Sequence, residues 1–211
     1  MSTIAGQLLN VFTPVEINNI IKLLKHIPNQ RNPNQSGDIL NNGFTENDLI
    51  YPAIKEMVIQ KINQVSPVKI TQISVGMQLI ARDPYRVHTD FLDKNDNGFG
   101  YGFLIPLYTT PSSTENSFTV VFNEGFTHSN QLKDYIDTNP PKPIPNAESI
   151  WHLLPEDPIE YAKYLSVCLV GKWLPGSVIY WDRRMFHSSD DFRLKGILEK
   201  SALVIFTSSN E

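Results

Sequence analysis

The chain has 211 residues, of which 41% are hydrophobic and 19% charged, the composition of a globular protein long enough to fold without disulfides or structural metals. Its net charge of -4 argues against nucleic acid as a partner, and its one cysteine, Cys168, excludes an internal disulfide and Cys-rich zinc modules. Because it lacks a signal-peptide pattern and any apolar run of the ~20 residues that cross a membrane, we expect a soluble, cytoplasmic, single-domain protein over residues 1–211.

The N-terminal part, residues 1–67, is predicted to be helical. Thr13 and Glu16 have the spacing of a capping box, and the apolar residues that follow recur at helical spacing, which predicts a helix over 14–26. Residues 29–47 are rich in Asn, Gly and Gln and predict a long irregular loop. A second helix is predicted after this loop, and its apolar face consists of Ala53, Ile54, Met57, Val58, Ile62 and Val65.

Residues 68–211 are predicted to form a β-rich core. Apolar residues alternate with other residues over 73–81, the period of a strand. Further short strands, rich in aromatic and β-branched residues, are predicted at 102–109, 118–123, 165–173, 177–186 and 201–207. Two helices followed by a series of strands predict a mainly β fold with flanking helices (α+β), with the helices packed against a β-sandwich or barrel.

A proline-rich insertion interrupts the predicted strands at about 124–164. Its prolines exclude a continuous helix or a central strand, although residues 159–164 are predicted to form a helical turn. An insertion of this length is either a functional loop, such as a lid over a site, or decoration. His128 and His152 lie within it. Each is either a substrate contact or an exposed side chain, and we leave both out of the metal site.

His88 and Asp90 form a His-x-Asp pair shortly after the first predicted strand, and His187 lies at the end of the strand predicted for 177–186. Two histidines and one carboxylate can bind one face of a metal, as in non-haem Fe(II) oxygenases, and leave the opposite face open for substrate and O₂. A His-x-Asp pair alone is a weak signal. Its position after a strand, together with a histidine on a late strand, predicts a metal centre of His88, Asp90 and His187.

Lys200 opens the last predicted strand, 13 residues after His187. A cation at this position can return to the same end of a barrel and bind the distal carboxylate of a dicarboxylate cosubstrate. The alternative is an exposed lysine that protects a sheet edge. Arg193 and Lys195 compete for the binding role, although both are predicted to lie in a loop.

Three further residues are candidates for binding the cosubstrate. Gln78 and Arg82 share one face of the first strand, and they point into the pocket if the apolar face of that strand packs on the helices. The Tyr101 hydroxyl, on the following strand, is a potential hydrogen-bond partner for the cosubstrate. The alternative for Gln78 and Arg82 is an ordinary solvated face of the strand, and the alternative for Tyr101 is simple aromatic packing. Cys168 lies in an apolar run and is predicted to be an inert buried thiol.

Three segments of the sequence resemble the iron(II)/2-oxoglutarate-dependent oxygenases, in particular the small prolyl-hydroxylase-like and phage-encoded members. They are QLIARDPYRVHTD, which contains the His-x-Asp pair, PGSVIYWDRRMFHSS around His187, and KSALVIFTS, which begins at Lys200. They occur in the family's order over roughly residues 70–207. The resemblance implies a double-stranded β-helix (jelly-roll) core, with the N-terminal helices packed on one sheet.

The resemblance also implies cofactors and a reaction. His88, Asp90 and His187 would bind Fe(II), and Lys200 would bind the C5 carboxylate of 2-oxoglutarate. The implied reaction is a hydroxylation that consumes O₂ and releases succinate and CO₂, whereas halogenation is disfavoured because the triad aspartate is intact. The chain departs from many relatives in having lysine in place of arginine at 200, and in having Arg82 or Tyr85 where a tyrosine often precedes the His-x-Asp pair.

A protein of another class remains as the alternative, namely a non-catalytic jelly-roll that serves as a ligand-binding or virion-associated module. Such a protein would consume no 2-oxoglutarate. A cupin is disfavoured because the sequence contains no His-x-His. The expected partner is a small-molecule or peptidyl substrate whose identity the sequence does not determine, and a homodimer is compatible with the sequence.

Overall fold

The computed structural model describes residues 4–27, 29–31, 39–41, 43–90, 100–112, 117–126, 131–138 and 159–208. Most of the proline-rich insertion, including His128 and His152, lies outside these described residues. No helix within the described ranges has the length and apolar character needed to cross a membrane.

The helices lie mainly in the N-terminal part of the chain. They are α1 (Pro14–Leu24), α2 (Tyr51–Ile54), α3 (Gln60–Val65) and α4 (Leu132–Thr138), with a π-helical segment Lys55–Ile59 between α2 and α3. Two 3₁₀ helices cover Ile159–Tyr164, where a helical turn was expected, and Phe192–Lys195.

The capping box at the start of α1 is confirmed. Thr13 Oγ accepts a hydrogen bond from the Glu16 backbone N–H at 3.3 Å, and Glu16 Oε2 accepts one from the Thr13 N–H at 2.7 Å. These bonds satisfy two backbone groups that the helix itself leaves unpaired. The Lys61 ammonium and the hydrogen bonds from Thr13 lower the pKa of Glu16 to about 2.

The strands form two antiparallel sheets. They are β1 (Ala5–Leu8), β2 (Asn29–Arg31), β3 (Ile39–Asn41), β4 (Ile73–Ala81), β5 (Tyr101–Thr110), β6 (Phe118–Gly125), β7 (Val167–Lys172), β8 (Val178–Asp182), β9 (Met185–Ser189) and β10 (Glu199–Thr207). The larger sheet has the order β1-β8-β5-β10-β4-β3-β2, and the smaller sheet has the order β7-β6-β9. Most neighbouring strands, such as β1 and β8, β5 and β10, or β6 and β9, are not consecutive in the sequence, as expected for a jelly-roll.

The larger sheet is buried on both faces. One face packs against α1, α2, the π-helical segment and α3 through a helix-side cluster that includes Ile17, Ile20, Leu24, Ile54, Val58, Ile62, Phe103, Ile105, Leu203 and Ile205. The other face packs against the smaller sheet through an inter-sheet cluster of Leu104, Val121, Trp173, Ile179, Trp181, Met185, Ala202, Val204 and Phe206. Helices therefore pack on one sheet, as predicted, and the space between the two sheets is a separate core.

The prediction of an irregular loop over 29–47 is wrong in part. β2 and β3 pair with each other within this segment, and β3 pairs with β4. Phe44 is also buried, and its backbone exchanges two hydrogen bonds with Gly76, of 2.7 and 2.8 Å. A side chain at Gly76 would collide with the Phe44 ring. The polar composition of β2, the edge strand, resembles that of a loop because edge strands are often short and polar.

Two other local predictions are corrected. The segment 177–186 forms two strands rather than one, because the chain turns at Arg183 and Arg184, and His187 consequently lies inside β9. Cys168 is exposed rather than buried. It belongs to β7, an outer strand of the smaller sheet whose side chains alternate between exposed and partly buried.

The described part of the insertion packs on the outer face of the smaller sheet. The Tyr135 ring of α4 contacts the Phe186 ring of β9 with centroids 5.3 Å apart, and Phe126 contacts Tyr135 at 5.6 Å. α4 therefore covers the face of the smaller sheet that points away from the larger one, and the insertion begins beside β9.

Candidate metal centre

The two parts of the predicted metal site are joined by backbone hydrogen bonds. The His88 N–H donates to the His187 carbonyl at 3.0 Å, and the His187 N–H donates to the His88 carbonyl at 2.8 Å. The segment after β4 thus continues the smaller sheet beyond β9. Two residues later, the Asp90 N–H donates to the Arg183 carbonyl at 3.0 Å. These bonds bring residues from distant parts of the sequence to one edge of the sheet.

The three predicted ligands lie together. One donor atom from each of His88, Asp90 and His187 lies within 4.8 Å of the others. The two imidazole centroids are 4.4 Å apart, and His187 Nε2 lies 3.4 Å from Asp90 Oδ1. Asp90 and His187 are buried, whereas His88 is partly exposed. Two imidazole nitrogens and a carboxylate oxygen on one side of a common point suit a divalent transition metal.

Backbone carbonyls orient both imidazole rings. His88 Nδ1 lies 2.7 Å from the Arg86 carbonyl oxygen, and His187 Nδ1 lies 3.1 Å from the Met185 carbonyl oxygen. A proton on each Nδ1 satisfies these contacts and leaves each Nε2 lone pair available. Metal-binding histidines are commonly held in this way through the ring nitrogen that does not bind the metal.

The pKa values of the two histidines are shifted in opposite directions. Burial and the neighbouring His187 lower the pKa of His88 to about 4, so this imidazole is neutral at physiological pH. Burial opposes a charge on His187 as well, but the charge of Asp90 and its hydrogen bond outweigh burial and raise the pKa of His187. The same pairing lowers the pKa of Asp90 despite its burial. The triad therefore contains an ionised carboxylate, which attracts a cation.

Trp181 positions the carboxylate of Asp90, a role that the sequence analysis missed. Its indole Nε1–H donates to Asp90 Oδ2 at 2.8 Å, and its ring contacts the His187 ring with centroids 4.7 Å apart. Because Oδ2 is held by the indole, Oδ1 is the oxygen that faces the histidines. Trp181 and His187 lie in the same segment, which forms β8 and β9. The position of Trp181 in the sequence, however, does not indicate that its indole contacts Asp90.

Arg183 is a buried residue that supports the backbone of Asp90. One of its guanidinium nitrogens donates to the Asp90 carbonyl at 2.8 Å, and the other donates to the Thr207 carbonyl at 3.3 Å. Its guanidinium also lies 5.3 Å from the centroid of the Phe206 ring. Arg183 thus connects the metal-site segment to β10.

We expect Trp181→Phe to weaken Fe(II) binding by about 10- to 100-fold, the range for removing a partner that orients a metal ligand. Phenylalanine keeps an aromatic ring against His187 but removes the hydrogen bond to Asp90 Oδ2. Anaerobic titration with Fe(II) measures the change, and Trp173→Phe serves as the matched control because Trp173 does not contact the triad ligands. Unchanged Fe(II) affinity in Trp181→Phe would contradict the positioning role.

Lys200 is buried in the inter-sheet space, close to polar groups of the smaller sheet. Its ammonium donates to Ser117 Oγ at 2.9 Å and lies 3.5 Å from Asp190 Oδ1. The Trp173 and Phe192 rings lie on it, with centroids 4.2 and 4.6 Å from Nζ. Burial lowers the pKa of Lys200 to about 8 even though Asp190 opposes the shift.

The structure separates Lys200 from the two residues that compete with it. Lys195 bonds Asp190 Oδ2 at 2.7 Å from a partly exposed position, and Arg193 is an exposed residue that pairs with Asp83. Lys200 has 1% of its side chain exposed, so the interpretation as a solvated edge lysine is wrong. Of the three cations, Lys200 alone points into the space between the sheets.

Gln78, Arg82 and Tyr101 do not line this space, and their prediction as pocket residues is wrong. Gln78 lies opposite Leu203 of the helix-side cluster, and its amide donates to Ser201 Oγ at 3.0 Å. Arg82 is exposed and pairs with Glu199. Tyr101 packs against the helix-side cluster. The apolar residues of β4 were expected to face the helices. Instead, Val75, Met77 and Leu79 pack against the inter-sheet cluster.

Comparisons with known proteins locate the fold. No protein-family model matches the sequence, and a search of curated proteins finds no match. Among solved structures, the carbocyclase SnoK from nogalamycin biosynthesis, described as non-heme and alpha-ketoglutarate-dependent, aligns over 98% of this chain and 80% of its own, with a TM-score of 0.59 and 10% identity. A Pseudomonas putida prolyl-4-hydroxylase aligns over 98% of this chain and 93% of its own, with a TM-score of 0.50 and 10% identity.

HygX from Streptomyces hygroscopicus, solved with nickel, 2-oxoglutarate and hygromycin B bound, aligns over 98% of this chain and 84% of its own, with a TM-score of 0.52 and 13% identity. The fold is a double-stranded β-helix. This confirms the fold that the sequence resemblance implies. At such low sequence identity, the structural similarity is evidence for the fold alone. A shared fold does not determine an activity, which depends on the residues of the site.

Proposed function

We propose that the protein is an Fe(II)- and 2-oxoglutarate-dependent oxygenase that hydroxylates its substrate. The observation that carries this proposal is the meeting of His88, Asp90 and His187 at one point, with one donor atom from each within 4.8 Å of the others. The fold similarity to SnoK, which is described as alpha-ketoglutarate-dependent, and to HygX, which was solved with 2-oxoglutarate bound, supports it.

The residues present fit an Fe(II) ion. Each histidine has Nδ1 on a backbone carbonyl, and Asp90 has Oδ2 on Trp181, so the remaining nitrogen or oxygen of each side chain is available for the metal. His88, Asp90 and His187 would hold the ion. When bound, the iron and 2-oxoglutarate supply the oxidising chemistry, in which O₂ is consumed and succinate and CO₂ are released.

Lys200 is the residue that would bind the distal carboxylate of 2-oxoglutarate. Asp190 is shared by two lysines, and its shorter contact, 2.7 Å, is with Lys195 rather than Lys200. The three side chains carry a net charge of +1 when both lysines are protonated, and an uncompensated buried cation is costly. An anionic ligand at Lys200 would remove this cost.

The placement of Lys200 relative to the triad also suits a dicarboxylate. Its ammonium lies near Asp190, three residues after the metal ligand His187, and three residues of extended backbone span roughly 10 Å. A molecule with a metal-chelating group at one end and a carboxylate at the other would lie along the space between the sheets. The apolar cluster there would exclude water from the reacting groups.

We further propose that the substrate is a small molecule or a peptidyl group, and that the insertion at about 124–164 selects it. Gln131, within this insertion, pairs through its backbone with His88. The insertion therefore borders the only triad ligand that is partly exposed. We also propose a cytoplasmic location, with which the single cysteine is compatible.

The proposed function is tested by anaerobic titration of the metal-free protein with Fe(II) and 2-oxoglutarate. We expect the weak visible charge-transfer band of a 2-oxo-acid chelate to appear, and candidate substrates to be ranked afterwards by how much they accelerate succinate formation in air. Folded protein that binds Fe(II) and 2-oxoglutarate without this band, or that binds neither, would overturn the proposal and favour a non-catalytic binding module.

A further inference from the structure

Trp173 is buried beside Lys200, and no described residue accepts a hydrogen bond from its indole N–H. Its side chain lies in the inter-sheet cluster with 6% of its surface exposed, and Nε1 makes no hydrogen bond to any described residue. A buried donor without a partner costs about 1–3 kcal/mol, and native proteins therefore rarely retain one without a reason. The second tryptophan of this cluster, Trp181, has its indole N–H fully used by Asp90.

The unpaired indole N–H of Trp173 lies close to the Lys200 ammonium, which has fewer acceptors among the described residues than it has N–H groups. The Lys200 ammonium is 4.2 Å from the centroid of the Trp173 ring, and Nε1 belongs to that same ring system. Among the described residues, this ammonium has Ser117 and the longer contact to Asp190 as hydrogen-bond partners, whereas an ammonium has three N–H groups. Within the described part of the chain, the Trp173 indole N–H therefore lacks an acceptor, and so does one of the three N–H groups of the Lys200 ammonium.

The backbone holds this pair of donors in place. The Trp173 N–H donates to the Ser117 carbonyl at 2.8 Å, and Phe118 and Lys172, the next residues inward, are paired in the smaller sheet. The Ser117 hydroxyl donates to Asp190 Oδ1 at 2.6 Å while it accepts from Lys200. Ser117 and Asp190 therefore fix the ammonium, and the indole supplies the remaining neutral donor.

We propose that the Trp173 indole N–H and the Lys200 ammonium together bind the distal carboxylate of the 2-oxo-acid cosubstrate, one donor to each carboxylate oxygen. A carboxylate has two oxygens that accept hydrogen bonds and carries the negative charge that balances Lys200. This inference rests on the proposed function and adds to it a residue that determines specificity for dicarboxylates over monocarboxylates.

The test compares two ligands that differ only in the distal carboxylate. Full-length protein loaded with Ni(II), which serves as an unreactive metal, is titrated calorimetrically with 2-oxoglutarate and with 2-oxopentanoate. For Trp173→Phe, which keeps an aromatic ring over Lys200, we expect 2-oxoglutarate to bind roughly 10- to 100-fold more weakly, as for a lost hydrogen bond to a charged group. Binding of 2-oxopentanoate is expected to stay unchanged.

Trp181→Phe is the matched control, because it makes the same substitution in the same core. It should weaken metal binding and leave the preference between the two 2-oxo acids unchanged. Equal weakening of both ligands in Trp173→Phe, or no weakening of either, would overturn the inference. If the unmodified protein does not bind 2-oxoglutarate, the proposed function itself fails, so the two failures are distinguishable.

A second measurement does not require the Trp173 variant to fold. The chain has three tryptophans, so ¹⁵N-tryptophan labelling of the Zn(II)-loaded protein yields three indole N–H signals. The Trp173 signal is assigned by elimination with Trp151→Phe and Trp181→Phe. Addition of 2-oxoglutarate should move it downfield and slow its exchange with solvent, and 2-oxopentanoate should do neither. An unmoved signal at saturating 2-oxoglutarate would overturn the inference.

Discussion

Replacing Asp90 with alanine is expected to reduce Fe(II)-dependent formation of succinate from 2-oxoglutarate by at least about 1,000-fold. Asp90 supplies the negative charge among the three ligands, and its pairing with His187 keeps its pKa low, so that it is ionised when the metal binds. Without it, two imidazoles remain to hold the cation. Anaerobic Fe(II) binding and succinate release in air measure the loss directly.

The control for this prediction is Asp83→Ala, which removes an exposed carboxylate from the same segment. Asp83 pairs with Arg193 at the surface, so its removal should change succinate formation by less than about twofold. Asp90→Ala also leaves the Trp181 indole without an acceptor, at a cost of about 1–3 kcal/mol, and its folding has to be verified by circular dichroism. Folded Asp90→Ala with wild-type turnover would remove Asp90 from the proposed site.

Lys200→Ala is expected to weaken 2-oxoglutarate binding roughly 100-fold, because a buried charged partner of the distal carboxylate is lost. Fe(II) affinity should be little changed, since Lys200 contacts Ser117, Asp190 and two aromatic rings rather than the triad. Lys195→Ala is the control, and a smaller effect is expected because Lys195 is partly exposed and bonds the other oxygen of Asp190. A larger effect of Lys195→Ala would transfer the role to Lys195.

The affinity for 2-oxoglutarate should also depend on pH through Lys200. Burial lowers the pKa of this ammonium to about 8, so the free protein carries the charge below pH 8 and loses it as the pH rises above 8. Because the bound anion requires the charged form, the dissociation constant for 2-oxoglutarate should rise up to tenfold per pH unit above about 8. In Lys200→Arg the guanidinium stays charged, and the rise should disappear. A pH-independent wild-type dissociation constant between pH 7 and 10 would contradict the assignment.

Tertiary contacts, rather than sequence spacing, bring together the residues that support the metal ligands and Lys200. Trp181 reaches Asp90 across 91 positions of the chain, and Ser117 reaches Lys200 across 83. A tryptophan and a serine in strand-forming segments are ordinary residues, and no local pattern distinguishes the ones that contact a ligand. Asp190, three residues after His187, lay close to a predicted ligand, yet its pairing with two lysines depends on how β9 and β10 approach each other.

The sequence by itself determined the elements whose physical cause is local. The capping box at Thr13 begins α1, alternation identifies β4, aromatic and β-branched residues identify β10, and the His-x-Asp pair with the later His187 predicts a metal centre. Only the tertiary structure decided which face of the larger sheet meets that centre. Both faces of this sheet are buried, one under helices and the other under the smaller sheet, so both are apolar. Alternation distinguishes two faces but not their neighbours, which is why Gln78 was assigned to the wrong side of the sheet and why only the structure shows that Lys200 is buried between the sheets.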